Sequence, residues 1–167
     1  MRSQFLFLAA LAALSLIRPA SAGANEAAQQ ALQSAQYLVG RWACAHTVGD
    51  FAGTYTTNFT PALGGNWLRQ TYEFPATATE PAWTAEFLMS YNGTRWTRLG
   101  VLSTGMSFGM VSWGPTVNWF WVYGFPGTSG ATASWTKKSD SEFTIDGPQY
   151  TENGKPVTER HDCKKTP

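Results

Sequence analysis

The feature that most constrains the fold of this chain is an alternation of apolar and polar side chains with a period of two. Segments 83–91 and 117–123 both carry aromatic or aliphatic side chains at every second position. This period is the pattern of a β-strand that buries one face, because successive side chains of a strand point to opposite sides. The two segments therefore predict half-buried strands.

Turn residues divide most of the chain into short segments of this kind. Asn92–Gly93 and Asn153–Gly154 are strong hairpin signals, and across the first we expect Tyr91 to face Thr94. Strands are also predicted over 37–47, 53–60, 67–74, 94–103, 106–113 and 131–137, and the second hairpin joins 142–150 to 156–164. Consecutive hairpins without helix–strand alternation predict an all-β fold, an antiparallel up-and-down barrel of about eight to ten strands.

The first 22 residues have the pattern of a secretory signal peptide. Arg2 precedes an apolar run of 13 residues at 5–17, and the small residues Ala20 and Ala22 mark a cleavage position before Gly23. The run is too short to span a bilayer, and an uncleaved N-terminal anchor is the alternative. We therefore expect an exported protein, periplasmic or extracellular, with no transmembrane segment in the mature chain.

A short helical segment is predicted between the signal peptide and the barrel. We expect one amphipathic helix from Asn25 to Gln36, with Asn25 as its N-cap. The predicted organisation is a signal peptide at 1–22, a helical segment at 23–36 and one barrel domain at 37–167.

The charge balance excludes one class of partner. Without Arg2 and Arg18 of the signal peptide, ten basic residues stand against eleven acidic ones. No basic face of the kind that binds nucleic acid is expected from this composition. Aromatic residues make up 14% of the chain and include eight Trp, which is enough to fill a large core or to line a cavity.

The beginning of the first predicted strand resembles the lipocalins and related calycin barrels. Gly40 and Trp42 form the Gly-x-Trp that opens the first strand in those proteins, and 37–42, 65–74 and 91–96 resemble a family of lipocalin-like bacterial proteins of unknown function. The resemblance spans most of the chain after the signal peptide. It implies a barrel whose Trp packs at one end under a basic side chain from a late strand, and it implies no particular reaction.

The two cysteines, Cys44 and Cys163, predict a disulfide, because an isolated pair in an oxidising compartment is most simply bridged. The first and last strands of a closed barrel pair antiparallel, so Cys44 opposite Cys163 places Trp42 opposite Lys165. We therefore expect Trp42 at one end of the barrel with Lys165, or else Arg160, as the cation over its ring.

The same pairing places His46 opposite His161. With Glu159 two positions earlier, the two histidines form a candidate His-His-carboxylate metal set. The resemblance also extends to ten-stranded haem-binding barrels, in which a His near the C-terminus binds the iron, although the flanking pattern of those barrels is absent. The alternative is that these are unconnected polar residues at a strand end, and on that basis we predict no cofactor.

Side chains on three predicted strands form a candidate ligand pocket. They are Phe87, Met89, Tyr91, Trp96, Trp119 and Trp121. Rings offer a large contact area with few rotatable bonds, which suits a planar or lipidic ligand. The alternative is an ordinary core, because small barrels fill their interior with side chains.

Five charged residues lie on predicted strands: Arg69, Glu73, Glu86, Arg95 and Arg98. Members that point inward could bind a ligand carboxylate or transfer a proton. The surface is the more ordinary place for such side chains, because they are almost never fully buried without a partner.

The sequence favours binding over catalysis. We predict an exported lipocalin-like barrel that binds a small apolar or amphipathic molecule, since neither His lies in a recognised catalytic motif. The alternatives are a barrel enzyme, such as an isomerase, a cyclase or a metal- or haem-dependent enzyme, that uses His46 and His161, and an interaction module of the cell envelope. No pattern indicates the oligomeric state.

Overall fold

Ten antiparallel strands and one helix make up the main body of the protein. The structure, a computed structural model, describes residues 21–113, 118–123, 132–147, 150–152 and 155–167. The elements are α1 (Ser21–Ser34), β1 (Gly40–Val48), β2 (Phe51–Ala62), β3 (Trp67–Phe74), β4 (Trp83–Tyr91), β5 (Arg95–Leu102), β6 (Ser107–Trp113), β7 (Asn118–Tyr123), β8 (Thr132–Lys137), β9 (Glu142–Asp146), β10 (Tyr150–Glu152), β11 (Lys155–Val157) and β12 (Glu159–Lys165). Within this part of the chain, no helix combines the length and apolarity needed to cross a bilayer.

The strands form a closed up-and-down barrel. From β1 to β9 each strand pairs with its neighbour in the chain, and β12 lies between β9 and β1 to close the sheet. Strands β10 and β11 form a separate two-stranded sheet. The predicted fold class is therefore confirmed, and its cause is the run of short alternating segments joined by tight turns.

The seam between the first and last strands has the register that the cysteines predict. Cys44 faces Cys163, and Trp42 faces Lys165. The sulfur atoms are bonded, so the predicted disulfide is confirmed. A single pairing thus fixes the register of two strands that lie 119 residues apart in the chain.

The hairpin at Asn92–Gly93 forms, but its predicted register is wrong. Tyr91 faces Trp96, not Thr94. The Asn92 side chain accepts hydrogen bonds from the backbone N–H groups of Thr94 and Arg95, and this Asx-type turn moves the centre of the hairpin one residue along the chain. Because the register shifts by two residues, the same side chains still point inward.

The two arms of the predicted hairpin between 142–150 and 156–164 pair with each other, but they do so in two separate ladders. The small β10–β11 sheet has the register expected for a turn at Asn153–Gly154, although those two residues lie outside the described part. In contrast, β9 pairs with β12 one residue out of that register, with His161 facing Ile145. One extra residue on the β9 side separates the two ladders, and it changes the face that each β9 side chain occupies.

The helix differs from the prediction at its beginning. It runs over Ser21–Ser34, so Asn25 lies inside it and is not the N-cap. The Ala-rich sequence on both sides of Asn25 explains this, because Ala has the highest helix propensity. The helix packs against β4 and buries Leu32, and the turn that follows it buries Leu38.

The barrel has two different ends. The closed end contains the beginning of β1 and the end of β12, and the segment from Leu32 to Leu38 packs over it as part of the same core cluster. The mouth is the opposite end, where β1 turns into β2 near Gly49 and β3 ends at Phe74. Along each strand, the side chains that point into the barrel extend from the closed end to the mouth.

Candidate functional site

Trp42 anchors the closed end. Its ring has no exposed surface, packs edge-on against Phe143 at 4.7 Å between centroids and donates its indole N–H to the Leu38 carbonyl at 2.6 Å. Lys165 Nζ lies 5.2 Å from the ring centroid and donates to the Tyr37 carbonyl at 2.9 Å. The indole N–H of Trp42 and the ammonium of Lys165 thus both have carbonyl partners nearby. The closed end therefore serves to stabilise the fold.

Arg160, the other cation that we considered for Trp42, lies on the outer face of β12. Its guanidinium forms ion pairs with Asp146 at 2.7 Å and with Asp162 at 3.0 Å. The structure therefore assigns the position over the indole to Lys165 and leaves Arg160 to surface charge pairing.

Both histidines lie at the mouth. His46 on β1 and His161 on β12 stack with their ring centroids 5.4 Å apart and their planes within 18° of parallel. His161 is 8% exposed, whereas His46 is half-buried. The cross-strand pairing at the seam is what brings the two rings together.

A chain of three hydrogen-bonded side chains runs inward from the mouth. His161 Nε2 lies 2.6 Å from Glu159 Oε1, and His161 Nδ1 lies 2.9 Å from the Tyr55 hydroxyl. The proton placement that satisfies all three groups has His161 donating to the carboxylate and accepting from Tyr55. Both ring nitrogens of His161 are therefore occupied, and the ring is held in one orientation.

Tyr55 was not singled out by the sequence, although a signal for it exists. Gly49–Asp50 is a turn dipeptide, and a hairpin centred there pairs Cys44 with Tyr55 and His46 with Gly53, as observed. The disulfide already places Cys44 in the interior, so this register would have placed Tyr55 there too.

Electrostatics at the mouth favour the uncharged forms of His46 and Tyr55. Burial lowers the pKa of His46, the nearby His161 lowers it further, and Glu159 opposes the shift. Burial also raises the pKa of Tyr55 well above its usual value, so this hydroxyl stays protonated and can donate to His161. His46 is thus a neutral imidazole at neutral pH.

Two glycines make room for these side chains. A Cβ atom on Gly147 would lie 2.6 Å from the Cβ of Glu159, and one on Gly53 would lie 3.2 Å from Cε1 of His46. The absence of a side chain at Gly147 lets Glu159 pack against the β9 end and reach His161. The arrangement of the mouth therefore depends on residues that carry no functional group.

Aromatic rings line the mouth beside the histidines. Phe74 and Trp83, which face each other across β3 and β4, stack at 3.8 Å with planes within 9° of parallel. Phe74 also stacks on Tyr55 at 4.7 Å and lies edge-on to His46 at 6.0 Å. Phe74 and Trp83 are both partly exposed, so one edge of the stack reaches the surface.

The same two rings border a groove of about 980 Å³. Its other walls consist largely of outward-facing residues of β1, β2 and β12, among them Ala43, Ala45 and Thr54. The groove therefore runs along the outside of the barrel and reaches the mouth at Phe74 and Trp83. Its volume lies within the range of small-molecule sites.

The described members of the predicted ligand pocket form part of the core. Phe87, Met89 and Trp96 are each 5% exposed or less, and Phe87 packs under the Arg98 guanidinium at 3.6 Å. The side chains of Trp119 and Trp121 lie outside the described part. Tyr91 is the remaining described member; it is partly exposed at the closed end and packs against Trp96 with ring centroids 5.5 Å apart. Ligand binding by this set stays a prediction. At the mouth the partly exposed rings include Phe74 and Trp83, which the sequence did not single out for binding.

The five charged candidates divide between the two faces. Arg69 and Glu86 form a surface ion pair at 2.6 Å, Glu73 pairs with Arg41 at 3.4 Å, and Arg95 is exposed.

Arg98 is the charged candidate that points inward, and it is 4% exposed. It donates to Gln70 and to the Tyr72 hydroxyl, both at 2.8 Å. Burial lowers the pKa of Arg98, and Tyr72 partly offsets this effect. Arg98 thus ties β3 to β5 through a buried polar network.

The predicted metal set does not have the geometry of a metal site. Parallel stacked imidazoles direct their in-plane lone pairs alongside each other, not at a common point. His161 also uses both nitrogens for Glu159 and Tyr55. Among the described residues, no group of three His, Cys, Asp or Glu is placed to hold an ion.

Comparison with known proteins identifies the fold and nothing finer. No protein-family model matches this chain, and no curated protein matches it. Rv2717c from M. tuberculosis has a similar structure, with a TM-score of 0.58 and 14% identity over 82% of this chain and 98% of that one. A redesigned β barrel, b11L5F_LGL, covers 80% of this chain and 95% of its own at 12% identity and a TM-score of 0.48. The structural neighbours are barrels, and the chain is a closed ten-stranded β-barrel.

Proposed function

We propose that this protein is an exported barrel that binds a small apolar or amphipathic molecule at its mouth, without catalysis. The observation that carries the proposal is the stacked pair of Phe74 and Trp83, which is partly exposed. Exposed rings that are already stacked offer a planar apolar surface at little entropic cost. The groove of about 980 Å³ that they border is large enough for a drug-sized molecule.

Export is the second part of the proposal. It is supported by the signal-peptide pattern at 1–22 and by the disulfide, which is typical of oxidising compartments. Mass spectrometry of the protein secreted by its own host would give a chain that begins at Gly23 and contains no free thiol. A cytoplasmic full-length chain with two thiols would contradict export.

The binding site is tested by fluorescence titration with retinol, palmitate and haem. A ligand that reaches the mouth changes the emission of Trp83, and replacement of this residue (Trp83→Ala) lowers the affinity about tenfold or more. The matched control is Trp135→Phe, because Trp135 is 6% exposed and packs against Phe143 in the core. This variant keeps the affinity of the native chain. The absence of a response to all three ligands would contradict the proposal.

An enzyme is the second candidate, and the Glu159–His161–Tyr55 chain favours it. Such a chain resembles the carboxylate–imidazole–hydroxyl arrangements of acid–base catalysis. Two observations weigh against it: Tyr55 is 2% exposed, and its raised pKa opposes ionisation of the hydroxyl. Binding therefore remains the function that the geometry supports best.

A further inference from the structure

We propose that the mouth selects an uncharged aromatic molecule that carries a hydroxyl group, a phenol-type ligand, and that His46 is its hydrogen-bonding partner. This inference rests on the proposed function and names the ligand class for the same site. Its three supports are an unpartnered atom of His46, the orientation of the rings around it and the charge of Glu159.

The first support is the hydrogen-bonding state of His46. Its Nδ1 atom is buried and has no hydrogen-bond partner among the described residues, whereas both nitrogens of His161 are occupied. A buried polar atom without a partner is costly and calls for an explanation. A hydroxyl group can donate and accept, so it satisfies Nδ1 in either tautomer of the neutral imidazole.

The second support is the set of rings that surround His46. Phe51 lies 5.4 Å from the imidazole and Phe74 lies 6.0 Å from it, edge-on. Phe51 is 48% exposed, and Phe74 continues the stack with Trp83. We expect a planar molecule that moves the exposed Phe51 ring aside and lies against these rings to place a substituent beside His46, because hydroxyl and ring are only one bond apart in a phenol.

The third support is the charge at the mouth. Glu159 is a partly exposed carboxylate that holds His161, and His46 offers no opposing charge because burial lowers its pKa.

The cations nearby already have partners. Arg41 and Lys164 border the groove, and they pair with Glu73 at 3.4 Å and with Glu142 at 3.6 Å. Arg160 pairs with Asp146 and Asp162 on the outer face. The buried Arg98 guanidinium lies against the face of the Phe87 ring. A ligand carboxylate beside His46 would therefore lie near the Glu159 charge, and the described cations around it are already engaged.

The experiment compares three molecules of the same shape by ligand-observed NMR with the full mature chain. They are 2-naphthol, 2-methylnaphthalene and 2-naphthoate. We expect 2-naphthol to bind about three- to tenfold more tightly than 2-methylnaphthalene, as one hydrogen bond provides. The anion 2-naphthoate is expected to bind more weakly than either.

Variants test whether His46 causes the preference for the hydroxyl and whether Glu159 weakens the binding of the anion. His46→Phe removes the advantage of 2-naphthol over 2-methylnaphthalene, and His46→Gln, which keeps a polar atom, retains part of it. Glu159→Gln preserves an acceptor for His161 and raises the affinity for 2-naphthoate about fivefold. The matched control is Asp140→Asn, an exposed carboxylate at the closed end that pairs with Lys137 and does not border the groove; this variant leaves all three affinities unchanged.

The outcomes separate this inference from the proposed function. Equal binding of 2-naphthol and 2-methylnaphthalene, or tightest binding of 2-naphthoate, overturns the selectivity and leaves a mouth that binds apolar molecules. An unchanged preference in His46→Phe overturns the role of His46. No binding of any of the three overturns both the inference and the proposed site.

Discussion

The closed end and the mouth both combine aromatic rings with polar side chains. They differ in how fully the rings are buried and in whether each polar group has a hydrogen-bond partner. At the closed end Trp42 is fully buried and its N–H has a carbonyl partner, and the nearby Lys165 ammonium has one too. At the mouth Phe74 and Trp83 are partly exposed, and His46 Nδ1 has no partner among the described residues. The chain thus covers and hydrogen-bonds its own groups at the closed end, and it leaves partly exposed rings and an unpartnered imidazole nitrogen at the mouth, where we propose that the ligand binds.

The helix and the turn that follows it are one physical cause of this difference. The segment from Leu32 to Leu38 packs on the closed end and supplies the carbonyl groups of Tyr37 and Leu38 that Lys165 and Trp42 require. At the mouth the side chains satisfy one another instead, in the chain from Glu159 through His161 to Tyr55. Substitutions at the closed end should therefore change stability, and substitutions at the mouth should change binding.

Trp42→Ala should have the largest effect on stability. Removing a fully buried ring costs about 3–5 kcal/mol in the free energy of unfolding, because a cavity replaces the indole. Urea unfolding followed by circular dichroism measures this cost. The matched change at the mouth, Phe74→Ala, should cost less because its ring is partly exposed. Equal costs for the two variants would remove the distinction between the ends.

Loss of the disulfide should come next. The double variant Cys44→Ala and Cys163→Ala should lose roughly 2–4 kcal/mol, because the bridge restricts the unfolded chain over a separation of 119 residues. The native protein unfolded with and without a thiol reductant provides the control. The bridge belongs to neither end, so ligand affinity should not change once the variant is folded. A large change in affinity would show that the seam shapes the mouth.

Lys165→Met should have a moderate effect on the closed end. The substitution keeps the apolar stem and removes the ammonium over Trp42, which costs about 0.5–2 kcal/mol. Lys164→Met is the matched control, since the Lys164 side chain is 78% exposed and surface changes of this kind stay within about 0.5 kcal/mol. If both variants lost the same stability, the cation–π contact would contribute nothing.

The pH dependence that His46 contributes should be the smallest effect. Its pKa in the folded state is lower than in the unfolded chain, so the unfolded state binds more protons between the two values. This contribution to stability is complete above the unfolded pKa and is lost as the pH falls through that window.

Chemical denaturation from pH 5 to pH 8 tests this contribution. His161 and Glu159 face the same ring, so the reference is His46→Gln, which keeps both neighbours. The native chain should lose more stability than this variant on acidification. Parallel pH profiles would mean that His46 is not desolvated at the mouth.

Several features of the fold follow from local patterns. Alternation with a period of two and closely spaced turns are sufficient for an antiparallel barrel, and the two cysteines set the seam that joins β1 to β12. The position of Trp42 under Lys165 follows from that same pairing. The turn at Asn92–Gly93 was less accurately predicted, because the Asn92 side chain captures backbone N–H groups that its dipeptide pattern does not reveal.

Alternation and pairing thus predict which residues of a strand share a face, which strands form the seam and which side chains meet across it. The packing of the whole chain was needed to show that Arg98 points inward while Arg69 pairs at the surface, and that Phe74 and Trp83 are partly exposed whereas Phe87 and Trp96 are buried. The physical reason is that period and pairing are local or pairwise properties. Exposure depends on what covers each end of the barrel, and that depends on the packing of α1, which the strand pattern does not encode.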